Sequence, residues 1–424
     1  MANAFSKEER VAFEDILEGF QDALVLSKNV AVYNTDQTMM ERTNNVIWRP
    51  QPYIATSYNG TDMTSNFGDN TQLAVPATIG FSKSVPWVMT STELRDSLQE
   101  GRLGDAAKRK LASDINVAIM NVAANQGTLF VKRTSTASGF DDVAQCEAIM
   151  NEQGVPSYER YLALSTRDYN GMANDLSKAS RSFGNEISDK ALRKAFVGEM
   201  ASFSTYKFDN SNRKAAAAGG GALTTSTLTA AARYYTPSAT STAGTGEVAN
   251  VDNRYQTLTV SSTTNVAAGD AFTIAGVNAV HHITKGDTGQ LKTFRVISVV
   301  NATSMVISPP IISNQGGTDA EAQYQNVVVT AQSGTAAIVF LNTVSNFVNP
   351  FWQRDSLEIL PGRYAIPSDA GAAIMRASTD QGIELVMQKQ FDINTMKTKY
   401  RLDTLFGVVN KQPEMSGVIM FSQT

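Results

Sequence analysis

Residues 43–86, TNNVIWRPQPYIATSYNGTDMTSNFGDNTQLAVPATIGFSKSVP, and residues 91–126, STELRDSLQEGRLGDAAKRKLASDINVAIMNVAANQ, decide how the chain is read. The first carries Pro50, Pro52, Pro76 and Pro86, glycines at 60, 68 and 80, and the turn pairs Asn59-Gly60 and Asp69-Asn70 between short strand-like pieces. Its aromatic residues Trp48, Tyr53, Tyr58 and Phe67 are spread thinly among polar ones, too thinly to close a core of their own. It therefore reads as a long extended excursion that lies on a neighbouring surface. In the second stretch Ser91 or Thr92 can cap a helix and Glu93 sits in its first turn. Leu94, Leu98, Leu111, Ile115, Ala118, Ile119 and Val122 then mark one apolar stripe, with Gln126-Gly127 as the stop. At roughly 1.5 Å per residue this is a rod of about 54 Å, with Gly101 and Gly104 expected to bend or interrupt its first third.

Upstream, Phe5, Phe13, Ile16, Leu17, Phe20, Leu24 and Val25 recur at helical spacing, so residues 4–27 are expected to form an amphipathic helix. Residues 1–20 hold two basic and five acidic side chains, which makes the outer face of that helix negative. Downstream, residues 140–208 alternate helix and strand signals: Asp141-Asp142 opens a helix through Met150, Tyr161 to Ser165 reads as a strand, and Thr166-Arg167-Asp168 starts further helix. Ala215 to Ala218 runs into Gly219, Gly220 and Gly221, a stretch with little to bury, and sets a boundary. Residues 223–342 then lose helix signals and offer strands at Tyr255–Val260, Ala271–Ile274, Thr293–Val300, Ser304–Ile307, Asn326–Thr330 and Ala336–Leu341, the content of a small barrel. From Asn346 the α+β texture resumes, with a hairpin of Ile383 to Phe391 and Met396 to Leu402. The fold class is α+β, interrupted by an all-β module.

Composition narrows the function. The 424 residues give about three domains at roughly 150 residues each, and 36 basic against 40 acidic side chains leave a net charge of −4, without the basic footprint of a nucleic-acid binder. Low charge, at 18%, suits contact with other protein more than long-range steering. One cysteine, Cys146, excludes an internal disulfide framework. Apolar runs such as Ala336 to Leu341 fall far short of the roughly 20 residues of a membrane helix, and the acidic start lacks the order of a signal peptide. The expectation is a soluble, intracellular chain with no membrane partner.

Reactive chemistry has no anchor. The sequence contains no Gly-x-Ser-x-Gly elbow, no phosphate cradle of Gly-x-x-x-x-Gly-Lys type and no His-Glu-x-x-His pair. His281 and His282, the only histidines, are adjacent, point to opposite faces of a strand and read as exposed loop residues. Cys146 falls in helical phase with Val143 and Ile149 and reads as an inert buried side chain. Lys397, Lys399 and Arg401 alternate along one strand face, and Lys108, Arg109 and Lys110 cluster on the long helix; both sets read as solvated faces, with phosphate or a partner's carboxylates as the functional alternative. Catalytic, cofactor and metal residues are expected to be absent.

In order, the chain shows an acidic amphipathic helix, an extended excursion opened by Thr43-Asn44-Asn45-Val46-Ile47-Trp48-Arg49-Pro50, and a rod carrying Glu93-Leu94-Arg95-Asp96 and Lys110-Leu111-Ala112. A β module with Val251-Asp252-Asn253-Arg254, Gly269-Asp270 and Ala275-Gly276-Val277 follows. This order resembles the major capsid (coat) proteins of short-tailed phages of the Salmonella podovirus type, over essentially the whole chain. The resemblance implies the Hong Kong 97-like (HK97-like) phage capsid fold. It would place an N-terminal arm at 1–45, an extended E-loop at 46–86, and a spine helix, peripheral domain and first part of the axial domain at 87–222. An inserted six-stranded β-barrel would occupy 223–342, and the remainder of the axial and peripheral domains 343–424.

It further implies assembly through pentamers and hexamers into an icosahedral procapsid that expands as DNA is packaged. The partners would be other copies of the chain, a scaffolding protein, a portal protein and, by weak non-specific contact, packaged double-stranded DNA. The place would be the virion capsid, and the host cytoplasm during assembly. Candidate subunit-contact residues are Arg49, Tyr53, Tyr58, Asp62 and Asp69 on the excursion, Lys108 and Arg109 on the rod, and Glu247 and Asp252 in the module. The barrel loop that ties capsomers by charge in the family corresponds to Thr236 to Asp252, where only Glu247 and Asp252 are charged, which weakens ion-pair bridging there. The second barrel loop, with Lys285, Asp287 and Lys292, would serve folding or size determination. Two other readings compete: an encapsulin-like nanocompartment shell, and an enzyme built on carboxylates and the histidine pair.

Overall fold

A computed structural model describes residues 5, 7–33, 46–52, 55, 57, 59–64, 67, 70–90, 92–93, 97–179, 197–209, 212–217, 223–224, 235–329, 336–366 and 372–424. The chain divides into two compact units. One gathers Met1–Ile47, Ala77–Met120 and Glu358–Val409; the other gathers Trp48–Pro76, Asn121–Leu357 and Asn410–Thr424.

In the first unit, helix α1 (Lys7–Ala23) buries Phe13, Ile16 and Phe20, the stripe that the spacing predicts. Helix α2 (Ser97–Gln126) carries the chain from the first unit into the second and is about 45 Å long at roughly 1.5 Å per residue. It buries Leu111, Ile115, Ala118 and Ile119. The expectation that Gly104 bends or interrupts this rod is corrected: the helix runs unbroken from Ser97, and Gly104 serves close approach instead. A Cβ there would lie 2.7 Å from Ile16 Cδ1 of α1, and one at Gly19 of α1 would strike the Lys108 side chain. Asn116 joins the helices further along, its Nδ2 donating to Ala23 O at 3.1 Å and its Oδ1 accepting from Leu26 N at 3.3 Å.

The sheet of this unit is built on Lys397–Asn410. Phe81–Thr90 pairs with it antiparallel from Phe81↔Phe406 to Thr90↔Lys397, and Glu384–Asp392 pairs on its other side. Thr398, Tyr400 and Leu402 are buried, whereas Lys397, Lys399 and Arg401 are exposed, the period-two alternation read from the sequence. Stacking of Trp87 on Tyr400 at 5.6 Å and of Phe81 on Phe406 at 5.3 Å fixes the register. Glu9 of α1 ties the helix to this sheet by bonding Lys389 and accepting from Tyr400 Oη.

The second unit contains a mixed six-stranded sheet in the order Leu129–Lys132, Ser416–Met420, Asn349–Gln353, Arg160–Ser165, Phe203–Phe208 and Glu199–Met200. Helices α3 (Phe140–Glu152) and α4 (Thr166–Ala179) supply Val143, Cys146, Met150 and Met172 to one core with Leu162, Leu164, Phe203, Phe351 and Ile419. Asp142 anchors the start of α3, accepting from Ser138 N at 2.8 Å and pairing with Arg133 at 2.6 Å.

Between these elements the all-β module is inserted. Arg213–Lys214 pairs antiparallel with Asn346–Phe347, so the incoming and outgoing chains run side by side. Asp270 closes the junction, bonding Lys214 Nζ at 3.1 Å and Asn342 Nδ2 at 3.0 Å. The module's sheet has seven strands where six are expected: Leu223–Thr224, Ala337–Phe340, Ala271–Val280, Asp287–Asn301, Ser304–Ser308 and Gln256–Thr259, with Val327–Val329 beside Ala271–Val280; the strand not foreseen is Leu223–Thr224, which pairs with Ala337–Phe340. Ala271–Val280 meets two partners along one edge, Ala337–Phe340 through Phe272–Ile274 and Val327–Val329 through Val277–Ala279, with Gly276 at φ 76° between them. Among the described residues the ladder does not close from Gln256–Thr259 back to Leu223–Thr224, yet the other strands share one core of residues such as Phe272, Ile274, Phe294, Val296, Ile307 and Ile338. Helix α5 (Asp319–Tyr324), capped by Thr318 Oγ1, precedes the strand Val327–Val329.

Phe294 is fully buried and stacks on Phe272 at 5.7 Å. Phe294→Ala is expected to destabilise the module by about 3–5 kcal/mol in urea unfolding; a loss under about 1 kcal/mol would mean that the cavity collapses freely and that this core is not close-packed.

Candidate subunit-contact surfaces

The excursion is an exposed extended segment. Its root is a two-stranded ladder of Val46–Pro50 and Ala74–Thr78, extended by Gln51 N donating to Leu73 O at 2.9 Å. Leu73 and Val75 are buried at this root. Beyond it the described residues 55, 57, 59–62, 64 and 67 are all exposed. Asp62 shapes the tip as a local turn: its Oδ1 accepts from Thr64 N at 3.1 Å and from Thr64 Oγ1 at 2.5 Å, and the hydroxyl bond first, then the amide, holds its carboxyl below the usual range. Phe67 is 88% exposed, the most exposed large apolar side chain of the described residues. An aromatic ring left in water on a segment without a core is a candidate for an intermolecular contact. The contact expectation had passed over Phe67; the signal was its isolation between Asn66 and Gly68.

Of the nine candidate residues, Tyr53, Tyr58 and Asp69 lie outside the described residues. Arg49 sits half-buried on the root strand Val46–Pro50. Lys108 lies over Gly19 and pairs with Asp105 at 2.6 Å, so it is committed within the chain. Lys110 likewise pairs with Asp114 at 2.7 Å, while Arg109 is exposed between them. Asp252 grips Arg254 in a fork, Nη2 to Oδ2 at 2.6 Å and Nε to Oδ1 at 2.9 Å, and Arg254 Nη1 donates to Asn410 O at 2.9 Å. Glu247 stands on the hairpin of Thr240–Thr242 and Val248–Asn250, whose residues are exposed on both faces. The structure thus brings none of these charges together; it sorts them into those spent inside the chain and those facing water.

The histidine pair is corrected. His282 is buried rather than exposed, because its loop docks against the C-terminal end of α3: His282 N donates to Gln153 O at 3.1 Å, and the His281 ring covers Gly154 at a distance a Cβ would violate. Lys292, fully buried, donates to Gln153 Oε1 at 2.7 Å and pairs with Glu414 at 2.6 Å, and Asn326 Nδ2 also donates to Glu414 at 3.2 Å. His282 Nε2 is 3.9 Å from Glu414, too far for a hydrogen bond, and has no other partner among the described residues. Burial, opposed by Glu414 and reinforced by Lys292, Lys285 and His281, lowers its pKa to about 4. Burial alone would raise the Glu414 carboxyl, but the Lys292 ammonium, His282 and the hydrogen bonds from Lys292 and Asn326 together outweigh it and lower its pKa. This is a structural lock between module and core, with a neutral imidazole that has neither a ligand set nor a nucleophile to serve. Cys146 is fully buried and burial pushes its thiol far up, the inert state its helical phase predicts. Among the described residues no three His, Cys, Asp or Glu side chains cluster to hold a metal.

Two outcomes follow from the lock. The folded His282 binds protons less readily than the unfolded one, so stability is complete above about pH 6.5 and falls as pH drops towards about 4. The midpoint of thermal unfolding should follow that curve, and His282→Gln should flatten it; an unchanged slope would show that another group titrates. Lys292→Met, which strands Glu414, should cost about 3–5 kcal/mol, and Lys292→Met with Glu414→Leu should recover most of it in the same melts.

Comparison with known proteins adds the family. Residues 1–422 match the family model described as P22 coat protein, gene protein 5. Among solved structures, the chain is similar to one titled CUS-3 coat protein I-domain, at 36% identity, covering 28% of this chain and 94% of that one, with a TM-score of 0.21. It is similar to one of Mycobacterium phage Che8 at 9% identity, covering 93% and 90%, with a TM-score of 0.45. A virus-like particle from Pyrococcus furiosus matches at 8% identity over 96% and 98%, with a TM-score of 0.38.

Proposed function

From the premise that this chain belongs to the P22 coat protein family, and so is the major capsid protein of a tailed bacteriophage and not an enzyme, we propose how its surfaces build the shell. Its copies assemble with one another into the capsid of the virion. The finer reading is that assembly proceeds through pentamers and hexamers to an icosahedral procapsid, formed in the host cytoplasm around a scaffolding protein and a portal protein. The shell then expands as double-stranded DNA enters, with weak non-specific contact between DNA and protein.

One observation carries this reading: the excursion leaves the subunit from a short ladder, is exposed beyond it at every described residue from 55 to 67 but the half-buried Met63, and presents Phe67 to water. A neighbouring copy supplies the cover that the chain itself withholds. Because the patch that receives the excursion differs from the excursion, the contact is heterologous, and heterologous contacts close into rings when the rotation permits. Arg49, Asp62, Arg109 and Glu247 are proposed as polar contacts around that anchor, with Tyr53, Tyr58 and Asp69 on the same excursion. Lys108 and Asp252 act within the chain through Asp105 and Arg254. We assign the arm to 1–45, the excursion to 46–86, the inserted domain to 223–342, and the spine, peripheral and axial parts to 87–222 and 343–424.

Replacing residues 55–68 by a short Gly-Ser turn preserves the root ladder. The variant is expected to keep its circular dichroism and melting midpoint and to remain subunits when co-expressed with scaffolding protein. Closed shells at wild-type yield in electron micrographs would overturn the role given to the excursion.

A further inference from the structure

The root of the excursion is held by the inserted module. Thr71 N donates to Gln323 Oε1 at 3.3 Å, and Gln323 Nε2 donates to Asn70 Oδ1 at 3.3 Å. Leu73 N donates to Tyr324 Oη at 3.3 Å, and Tyr324 Oη donates to Thr71 O at 3.2 Å. Ala74 adds a parallel bridge to Asp252. Two consecutive side chains at the end of α5 thus bond three backbone groups within Thr71–Leu73, which fixes the path of the chain independently of the side chains it carries.

Those two side chains are themselves immobilised. Thr318 caps the start of α5, and Lys285 Nζ donates to Gln323 O at 2.8 Å and Gln325 O at 3.1 Å at its end. Lys285 belongs to the loop whose His281 and His282 seat on Gly154 and Gln153, and Asn326, next in the chain, bonds Glu414. A bonded path from the excursion towards the six-stranded sheet therefore passes through the module, by way of the buried Gln323, Asn326 and Glu414.

We propose that the inserted module aims the excursion: Gln323 and Tyr324 set the direction in which it leaves the subunit, and with it the angle between neighbouring copies. The proposal rests on the reading that the excursion reaches a neighbouring copy. A closed shell needs that angle confined to a narrow range, because heterologous contacts whose rotation does not close give open polymers. A two-stranded ladder alone is a weak guide, since isolated hairpins are marginally stable in water.

The test uses the full chain with Tyr324→Phe and, separately, Gln323→Ala. Hydrogen exchange of the unassembled subunit is read first. Tyr324→Phe should speed exchange at the Leu73 amide about tenfold, the loss of one hydrogen bond, while Phe294 stays protected. Gln323→Ala should do the same at Thr71. Assembled with scaffolding protein, both variants should give particles of mixed diameter or open sheets in place of uniform shells. Unchanged exchange at Thr71 and Leu73, or faster exchange with shells still uniform, would overturn the proposal. Loss of protection at Phe294 in both variants would also overturn it, by giving the pair a purely structural role in the module. Should shells form normally without residues 55–68, the assembly reading of the excursion fails, yet the exchange result would still report whether the module holds the root.

Discussion

A segment that buries nothing of its own cannot be held by its own subunit, and the rest of this protein is arranged around that constraint. Of residues 55–67, where described, all but the half-buried Met63 are exposed, and Phe67 is the most exposed large apolar side chain of the described residues. Fixing such a segment costs conformational entropy that only contacts can offset. Within the subunit the contacts shown lie at the root, where Leu73 and Val75 are buried and Gln323 and Tyr324 bond Asn70, Thr71 and Leu73. In the reading proposed above the remainder comes from another copy, so that specificity lies in which surface covers which.

Charge is divided along the same line. Buried ionic groups tie elements together inside the chain: Glu9 with Lys389, Asp142 with Arg133, Asp270 with Lys214, and Glu414 with Lys292. Each is weak evidence for stability in itself, because desolvation cancels much of the attraction, but each penalises any arrangement that separates the partners. Exposed charges such as Arg109 and Glu247 are the ones proposed for contacts between copies, where charge biases orientation and rate more than affinity. A shell that must form without trapping errors is served by strong internal locks and individually weak external bonds.

Much of this was legible in the sequence. The apolar stripe of the rod, the alternation of Lys397, Lys399 and Arg401, the strand candidates of the module and the inert Cys146 all follow from local periodicity, and the structure shows each of them. What local periodicity cannot express is proximity. Gly104 reads as a helix breaker because glycine propensity is local, whereas its use is to admit Ile16 from a helix far away in sequence. His281 and His282 read as exposed loop residues, yet His282 is buried with its amide bonded to Gln153 O, and the His281 ring covers Gly154. Asp252 reads as a candidate contact residue, but Arg254, two residues on, engages it. The seventh strand of the module, Leu223–Thr224, went unseen because two residues just past the glycine run carry no period of their own and are strand only through Ala337–Phe340.

The central claim, that the excursion finds its cover on another copy, is tested most directly by placing a photoreactive probe at Phe67→Cys. The native Cys146 is buried, so the introduced thiol takes the label. Shells assembled from mixed light and isotopically heavy subunits, irradiated and digested, should yield cross-linked peptides that pair light with heavy chains at the frequency of random mixing. Cross-links confined to peptides of a single isotopic type would place the cover within the same subunit and contradict the account.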